Sequence, residues 1–549
     1  MVKKIKIKIN QVLMQFPFLL WVKLKVKFVC KLKKVLEKQL RPINASYLSR
    51  PAEKLKRILL PQIETSHYQY YQMFILAKAL QLRGAEVKIL LCGSRLDGCE
   101  IKSVKNIKFM DPCIYCRFNH KHIVSMYGID ILRLSELISQ TKVKYFSEIA
   151  ASIVENYPSN FSFNDINIIP MVDESVIRHY YGFVPSGGED LKEVRKKHLV
   201  SSMIGIEAAR NIDKVFSPDV VLNNMFAYSV TEPYHKYFGK KGHTELFSVS
   251  ITPYNYYSVV LNIMELYKSP DRYLQYLEGR GNKRLTCEEK LELQDFVGMR
   301  LRGESDVFRE YDCFASKSNI DKILGIDATK RNVFLFSSVF WDVGMSDSGR
   351  LFHDVINWVL QTIEILKNQD YIHLYIKPHP AEKYDSSASL KGVADYIYDK
   401  YPVLPNNVTL ILPEMKIKPY ELFPYIDLGV VYNGTLGLEM LLYDVQIVIT
   451  GKAPYGGLGF AHEPLTLEEY RKILLGEINP IIPDKGEVEL FAYFYFIKTQ
   501  IPWTLTKRAY ADDFKGYTFD SLEDILPGKN KYLDHICDCI LKDKPLECW

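Results

Sequence analysis

Several things are scarce in this 549-residue chain, and each scarcity excludes something. The apolar stretch LMQFPFLLWV at 13–22 is half of the about 20 residues that a spanning helix needs, and no small-residue cleavage site follows it, which argues against a secretory signal. No internal repeat and no long low-complexity run is present, so a solenoid is not expected. No Asp-x-Asp pair stands out, so nothing announces a carboxylate-held catalytic metal. Acidic residues are nearly missing from 1–41: lysines recur from Lys3 to Lys38, and Glu37 is the lone acid. The net charge of +6 is too small to argue for a nucleic-acid partner.

Aromatic residues are plentiful. There are 37 Tyr and 28 Phe beside 5 Trp, hydrophobic residues make up 47%, and 549 residues exceed what one core holds. Two domains or more are expected. The basic segment 1–41, with Phe16, Phe18, Leu19, Leu20 and Trp21, has the composition of an arm that lies on an anionic membrane surface; the alternatives are a solvated arm or an extra helix. Of ten cysteines, Cys92, Cys99, Cys113 and Cys116 cluster, and Cys113-x-x-Cys116 is a spacing that brings two thiolates to one zinc ion. A structural zinc is one reading and reduced thiols near a sheet edge the other. Disulfides are not expected if the chain is cytoplasmic.

Periodicity predicts an α/β chain. RILLP (57–61) reads as a buried strand. A helix over 67–83 follows, with Met73, Leu76, Ala77 and Leu80 on one face and Gly84 as the stop, and then a strand over 86–92. A strand–helix–strand opening implies a parallel sheet. The middle of the chain reads as more helical and polar, with 301–330 as a connector. A second series begins near 332, with strands at 332–337, 371–376, 408–412, 428–432 and 446–450 and a helix over 351–367. The expected organisation is a basic arm (1–41), an acceptor-side Rossmann-like domain with helical insertions (42–330), a second Rossmann-like domain (331–480) and a tail packing back on the core (481–549). A ligand is expected between the two domains, outside the carboxyl ends of the strands.

The residues that follow those strands carry the chemistry. Lys377-Pro378-His379-Pro380-Ala381-Glu382 follows one of them. Its two prolines stiffen a loop that presents His379 for proton shuttling or for donation to a phosphate; the plain alternative is a turn histidine bonded to backbone. Asn433-Gly434-Thr435 follows another. Thr435 or Asn433 can cap the next helix, and free amides beside Gly434 suit an anion. Glu439 stands one turn into that apolar helix. A buried, unpaired carboxylate costs several kcal/mol, so it needs a partner, either the sugar hydroxyls of a ligand or a nearby lysine. The glycine-rich loop 451–460 offers Lys452 to an anion. In the first domain, Glu64, Thr65, Ser66 and His67 fill the turn after the first strand, where His67 is a candidate base and an N-cap cluster the alternative. Asp342, after the strand at 332–337, is a candidate acceptor-side residue or a helix cap.

Taken together, IKPHPAE (376–382), LPEMKIKPYELFPYIDLGVVYNGTLGLEMLL (412–442), ITGKAPYGGLGF (449–460) and FSSVFWDVGM (336–345) resemble the capsule and surface polysaccharide biosynthesis transferases, the broad group that includes the bacterial capsule Kdo transferases. The resemblance covers 332–465 well and the opening unit more loosely. It implies a GT-B fold of two Rossmann-like domains, with a nucleotide-sugar held mainly by the second. It places His379, Asn433, Thr435 and Glu439 in the donor site. Relatives often carry His-Tyr in the glycine loop, where this chain has Ala453-Pro454-Tyr455, so no loop histidine acts here.

The expected function is transfer of a sugar from a nucleotide-sugar donor to a surface or capsular polysaccharide or lipid-linked acceptor. Lys377, Glu382, Asn433, Gly434, Thr435, Glu439 and Lys452 would bind the donor; His379, His67 and Asp342 would be catalytic. No cofactor is required in this reading, zinc at the cysteines being structural. The location would be cytoplasmic, on the inner face of the plasma membrane if the arm binds lipid. The alternatives are an epimerase or polyol-phosphate transferase on the same fold, and a non-catalytic scaffold.

Overall fold

The structure is a computed structural model. It describes residues 56–63, 69–99, 113, 116–117, 120, 127–223, 226–242, 244–254, 257–262, 269–302, 319–341, 351–352, 354–383, 391–499, 501–506 and 518–542. The arm 1–41, the turn holding Glu64, Thr65, Ser66 and His67, and Asp342 lie outside the described residues.

The chain divides into two compact units: Met1–Ile168, Lys196–Val260 and Pro502–Leu546 form one, and Ile169–Arg195, Leu261–Ile501 and Glu547–Trp549 the other. The expected boundary near 330 therefore moves to 260–261. The reason is aromatic packing inside the second unit. Tyr273 sits edge-on to Phe491 at 5.0 Å between ring centroids, and Phe296 stacks on Phe496 at 5.1 Å, so the segments around them follow the C-terminal helices.

A first sheet holds β1 (Arg57–Pro61), β2 (Glu86–Leu91), β3 (Asp130–Arg133), β4 (Val220–Asn223), β5 (Glu245–Tyr254), β6 (Tyr257–Asn262) and a strand at Ile501–Trp503. Its order is β3-β2-β1-β4-β5-β6 and then Ile501–Trp503, with β3, β2, β1, β4 and β5 pairing in parallel. Helix α1 (Gln69–Leu82) joins β1 to β2 and buries Met73, Leu76, Ala77 and Leu80, the face read from the sequence. The strands from β3 to β6 were not legible in the polar middle of the chain.

The second unit repeats the plan. Strands β7 (Arg331–Phe336), β8 (Ile372–Lys377), β9 (Val408–Leu410), β10 (Leu428–Val431) and β11 (Ile447–Ile449) lie in the order β9-β8-β7-β10-β11, all parallel. They are apolar on both faces, as a parallel sheet covered by helices requires. Helix α2 (Val355–Leu366) is capped by Asp354, whose carboxylate accepts from the Asn357 amide at 2.7 Å. It buries Val355, Trp358, Val359, Thr362, Ile363 and Leu366, a stripe at helical spacing, against Val333, Leu335 and Leu374. In both units the strand order reverses beside the first strand. That switch point is where doubly wound sheets leave a crevice for ligands.

Candidate functional site

The register of the second sheet brings the functional loops level with one another. Phe336, the last residue of β7, pairs with Lys377 of β8 on one side and Val431 of β10 on the other. The residues that follow, Ser337, Pro378 and Tyr432, therefore emerge in one row at the switch point.

Two serines stitch that row together. The Ser337 amide donates to the Lys377 carbonyl at 3.1 Å, and the His379 amide donates to Ser337 Oγ at 3.0 Å. Ser338 Oγ donates to Asn433 Oδ1 at 3.1 Å, linking the loop after β7 to the loop after β10. Neither serine was singled out in the sequence. The available signal was a pair of hydroxyls directly after an apolar strand.

His379 has a defined tautomer. The Ala381 amide donates to its Nδ1 at 3.1 Å, so the ring proton sits on Nε2 and that nitrogen is a donor. Burial, and then the neighbouring Lys377, lower its pKa to about 4, so the ring is neutral at physiological pH. It can donate a hydrogen bond without carrying a charge.

Lys377 is 6% exposed, at the very end of β8. Burial lowers its pKa to about 8, with the charge of Glu421 opposing the shift. Glu421 belongs to a short 3-10 helix, Pro419–Tyr425, and also accepts from the Lys418 amide at 2.8 Å. An ammonium held at a strand's carboxyl end and this far from water is well placed to bind an anion, because its charge is weakly screened.

The Asn433-Gly434-Thr435 turn differs in detail from the sequence reading. Helix α3 (Leu436–Leu442) spans seven residues, and Thr435 has helical angles (φ −62°, ψ −19°) with no side-chain cap. Thr435 does not cap it, and Asn433 Oδ1 accepts from Ser338 Oγ. The turn is held from the other side by Tyr455, whose hydroxyl donates to the Gly434 carbonyl at 2.8 Å. A Cβ on Gly434 would meet only the Leu436 amide nitrogen, at 4.0 Å, so its backbone stays approachable.

The partner of Glu439 is a cation of the same unit. Arg300, on helix Cys287–Arg302, places a guanidinium nitrogen 2.7 Å from Glu439 Oε1, with side-chain exposures of 23% and 2%. The guanidinium lies 5.7 Å from the centre of the Phe496 ring. Burial, and then the charge of Glu439, raise the pKa of the neighbouring Tyr420 hydroxyl. The carboxylate needed a partner, and the fold supplies one internally. The other expectation was a nearby lysine; the cation is instead an arginine more than a hundred positions away.

The remaining candidates separate. Lys452 is exposed on the glycine loop. Glu382 is 3% exposed and turns away from solvent to accept the Val393 amide at 2.8 Å. Cys92, Cys99, Cys113 and Cys116 are half-buried and in no disulfide, and among the described residues no three of His, Cys, Asp and Glu are grouped so as to hold a metal ion. Among the described residues no helix is long and apolar enough to cross a membrane.

No family model matches the chain, and no curated protein matches it. Among solved structures it is similar to the KpsC beta Kdo 2,4 transferase of Thermosulfurimonas dismutans, at 13% identity over 50% of this chain and 79% of that one, with a TM-score of 0.33. It is similar to Anabaena HepE in complex with UDP and glucose, at 11% identity over 80% and 93%, with a TM-score of 0.24. It is also similar to the UDP-GlcNAc 2-epimerase of Neisseria meningitidis bound to UDP-GlcNAc, at 10% identity over 80% and 100%, with a TM-score of 0.23. These TM-scores lie below 0.5, so the functional reading rests on the site's own residues.

Proposed function

We propose that the chain is a glycosyltransferase that moves a sugar from a nucleotide-sugar donor to a surface or capsular polysaccharide or lipid-linked acceptor. The observation that carries this reading is the convergence of buried Lys377, the Nε2 donor of His379 and the Ser338–Asn433 pair at the switch point of a parallel sheet. Those groups suit a diphosphate: one charge, one neutral donor and an approachable glycine backbone.

In the transfer, an acceptor hydroxyl attacks the anomeric carbon, the bond from that carbon to the phosphate oxygen breaks, and the nucleotide departs with the electron pair. Negative charge grows on the leaving phosphate, where Lys377 and His379 stabilise it in a low-dielectric setting. The hydroxyl proton passes to a base, for which His67 and Asp342 are the proposed residues. In this reading the leaving charge is met by protein groups. The basic arm 1–41 would hold the enzyme against an anionic membrane near a lipid-linked acceptor.

A thermal-shift panel of CMP, CDP, UDP, GDP and their sugars, run on wild type and Lys377→Ala, tests the proposal. A ligand that binds only the folded state raises the melting temperature by mass action. A shift with one base that is lost in the variant supports donor binding and names its class. No shift with any nucleotide at millimolar concentration overturns it.

A further inference from the structure

The carboxylate of Glu382 is built into the fold in an unusual way. It stands in a 3-10 turn, Pro380–Lys383, directly after His379. Its Oε2 accepts the Val393 amide at the start of helix α4 (Val393–Lys400), at 2.8 Å. Gly392 passes so close that a Cβ there would come within 2.7 Å of Oε2. Glu382 Oε1 is fully buried and finds no hydrogen-bond partner among the described residues. A core that had no use for a carboxylate would be more stable with an apolar side chain here.

The same turn carries the histidine. The Glu382 amide donates to the His379 carbonyl at 3.1 Å, and the Ala381 amide donates to His379 Nδ1. Residues 379–382 are therefore wound as one piece. Its near end is fixed by Ser337 Oγ on the His379 amide, and its far end by Glu382 on the Val393 amide. The Ala381 bond, which puts the ring proton on Nε2, lies between those two anchors.

We propose that Glu382 is a positioning residue: it anchors the turn that fixes the tautomer and direction of His379, and it links that geometry to pH. The inference rests on the reading of His379 as a donor-site residue. The charged groups facing the Glu382 carboxyl are Asp395 from α4 and Lys383 from its own turn. Burial raises the carboxyl to about 7; the Val393 N–H opposes this, Asp395 adds to it, and Lys383 and the His379 segment lower it. Above that pH an ionised carboxylate makes a charge-assisted bond to Val393. Below it the carboxyl is neutral and the anchor weakens.

The test uses the full chain with 15N-labelled histidine and three versions: wild type, Glu382→Gln and Glu382→Ala. Gln keeps an acceptor for Val393 but cannot titrate; Ala removes the acceptor. In wild type His379 should show the Nε2–H tautomer, with its signals stepping near pH 7. Glu382→Gln should keep the tautomer and lose the step. Glu382→Ala should mix the tautomers and, in a parallel titration, weaken binding of the nucleotide selected by the panel by about tenfold, the loss of roughly one hydrogen bond to a charged group. A His379 tautomer and pH profile unchanged in Glu382→Ala overturns the proposal. The NMR arm needs no ligand, so failure of nucleotide binding in wild type would refute the donor-site reading and leave the role of Glu382 to be read separately.

Discussion

Arg300 and Glu439 form an ion pair at 2.7 Å, one helical turn after Thr435. The pair is lopsided, because the arginine side chain keeps 23% of its surface in water and the glutamate 2%. Removing the arginine strands a buried carboxylate, whereas neutralising the glutamate leaves a guanidinium that still reaches solvent. Arg300→Ala should therefore destabilise the protein by about 3 kcal/mol, and Glu439→Gln by clearly less. Chemical denaturation of both variants checks the order; equal losses would mean the asymmetry in burial does not govern the pair.

Gly437 has no room for a side chain. A Cβ there would stand 2.0 Å from the Tyr455 hydroxyl, the group that bonds to the Gly434 carbonyl. Gly437→Ala should displace that hydroxyl and cost about 1–3 kcal/mol by overpacking. It should also weaken nucleotide binding, because the turn loses its support. Tyr455→Phe removes the same bond without the clash, so it should reproduce the binding loss with a smaller drop in melting temperature.

Lys377 gives the site an alkaline limit. Its pKa falls from 10.5 to about 8 on folding, chiefly through burial. Anion affinity that depends on the ammonium should decline above pH 8, approaching tenfold per pH unit as the charged fraction falls. Stability moves the other way: between pH 8 and 10.5 the unfolded chain binds the extra proton, so this residue makes folding more favourable as pH rises through that window. Calorimetric titrations from pH 7 to 9.5 read the first effect, and Lys377→Met should show weak binding at every pH.

Ser338 and Asn433 tie two loops across the switch point at 3.1 Å. A double-mutant cycle of Ser338→Ala and Asn433→Ala should return a coupling of about 1 kcal/mol in stability. Because the bond orients the loop that bears Gly434, each single variant should also raise the dissociation constant for the nucleotide. Full additivity would show that the contact does not act as a unit.

How much of this was legible beforehand depended on the range of the signal. The strands β7, β8, β10 and β11 were placed within a residue or two, because buried parallel strands are short continuous apolar runs. The helix Val355–Leu366 was legible from its stripe, although its start moved from 351 to 355, where Asp354 caps it. Strands such as Val220–Asn223 went unread because three apolar residues in a polar region give too little pattern to separate strand from helix.

The sequence by itself determined the α/β alternation, the loops at the strand ends, and the need of Glu439 for a partner. These are local matters of periodicity, proline stiffness and the cost of burying charge. Only the tertiary structure decided that the partner is Arg300, that Ser337 and Ser338 bind the loops together, and that Glu382 faces Val393 and not solvent. Those contacts join residues that are 139, 42, 95 and 11 positions apart in the chain. Hydrogen bonds and ion pairs act over a few ångströms in space, and folding alone sets which distant residues come within that reach.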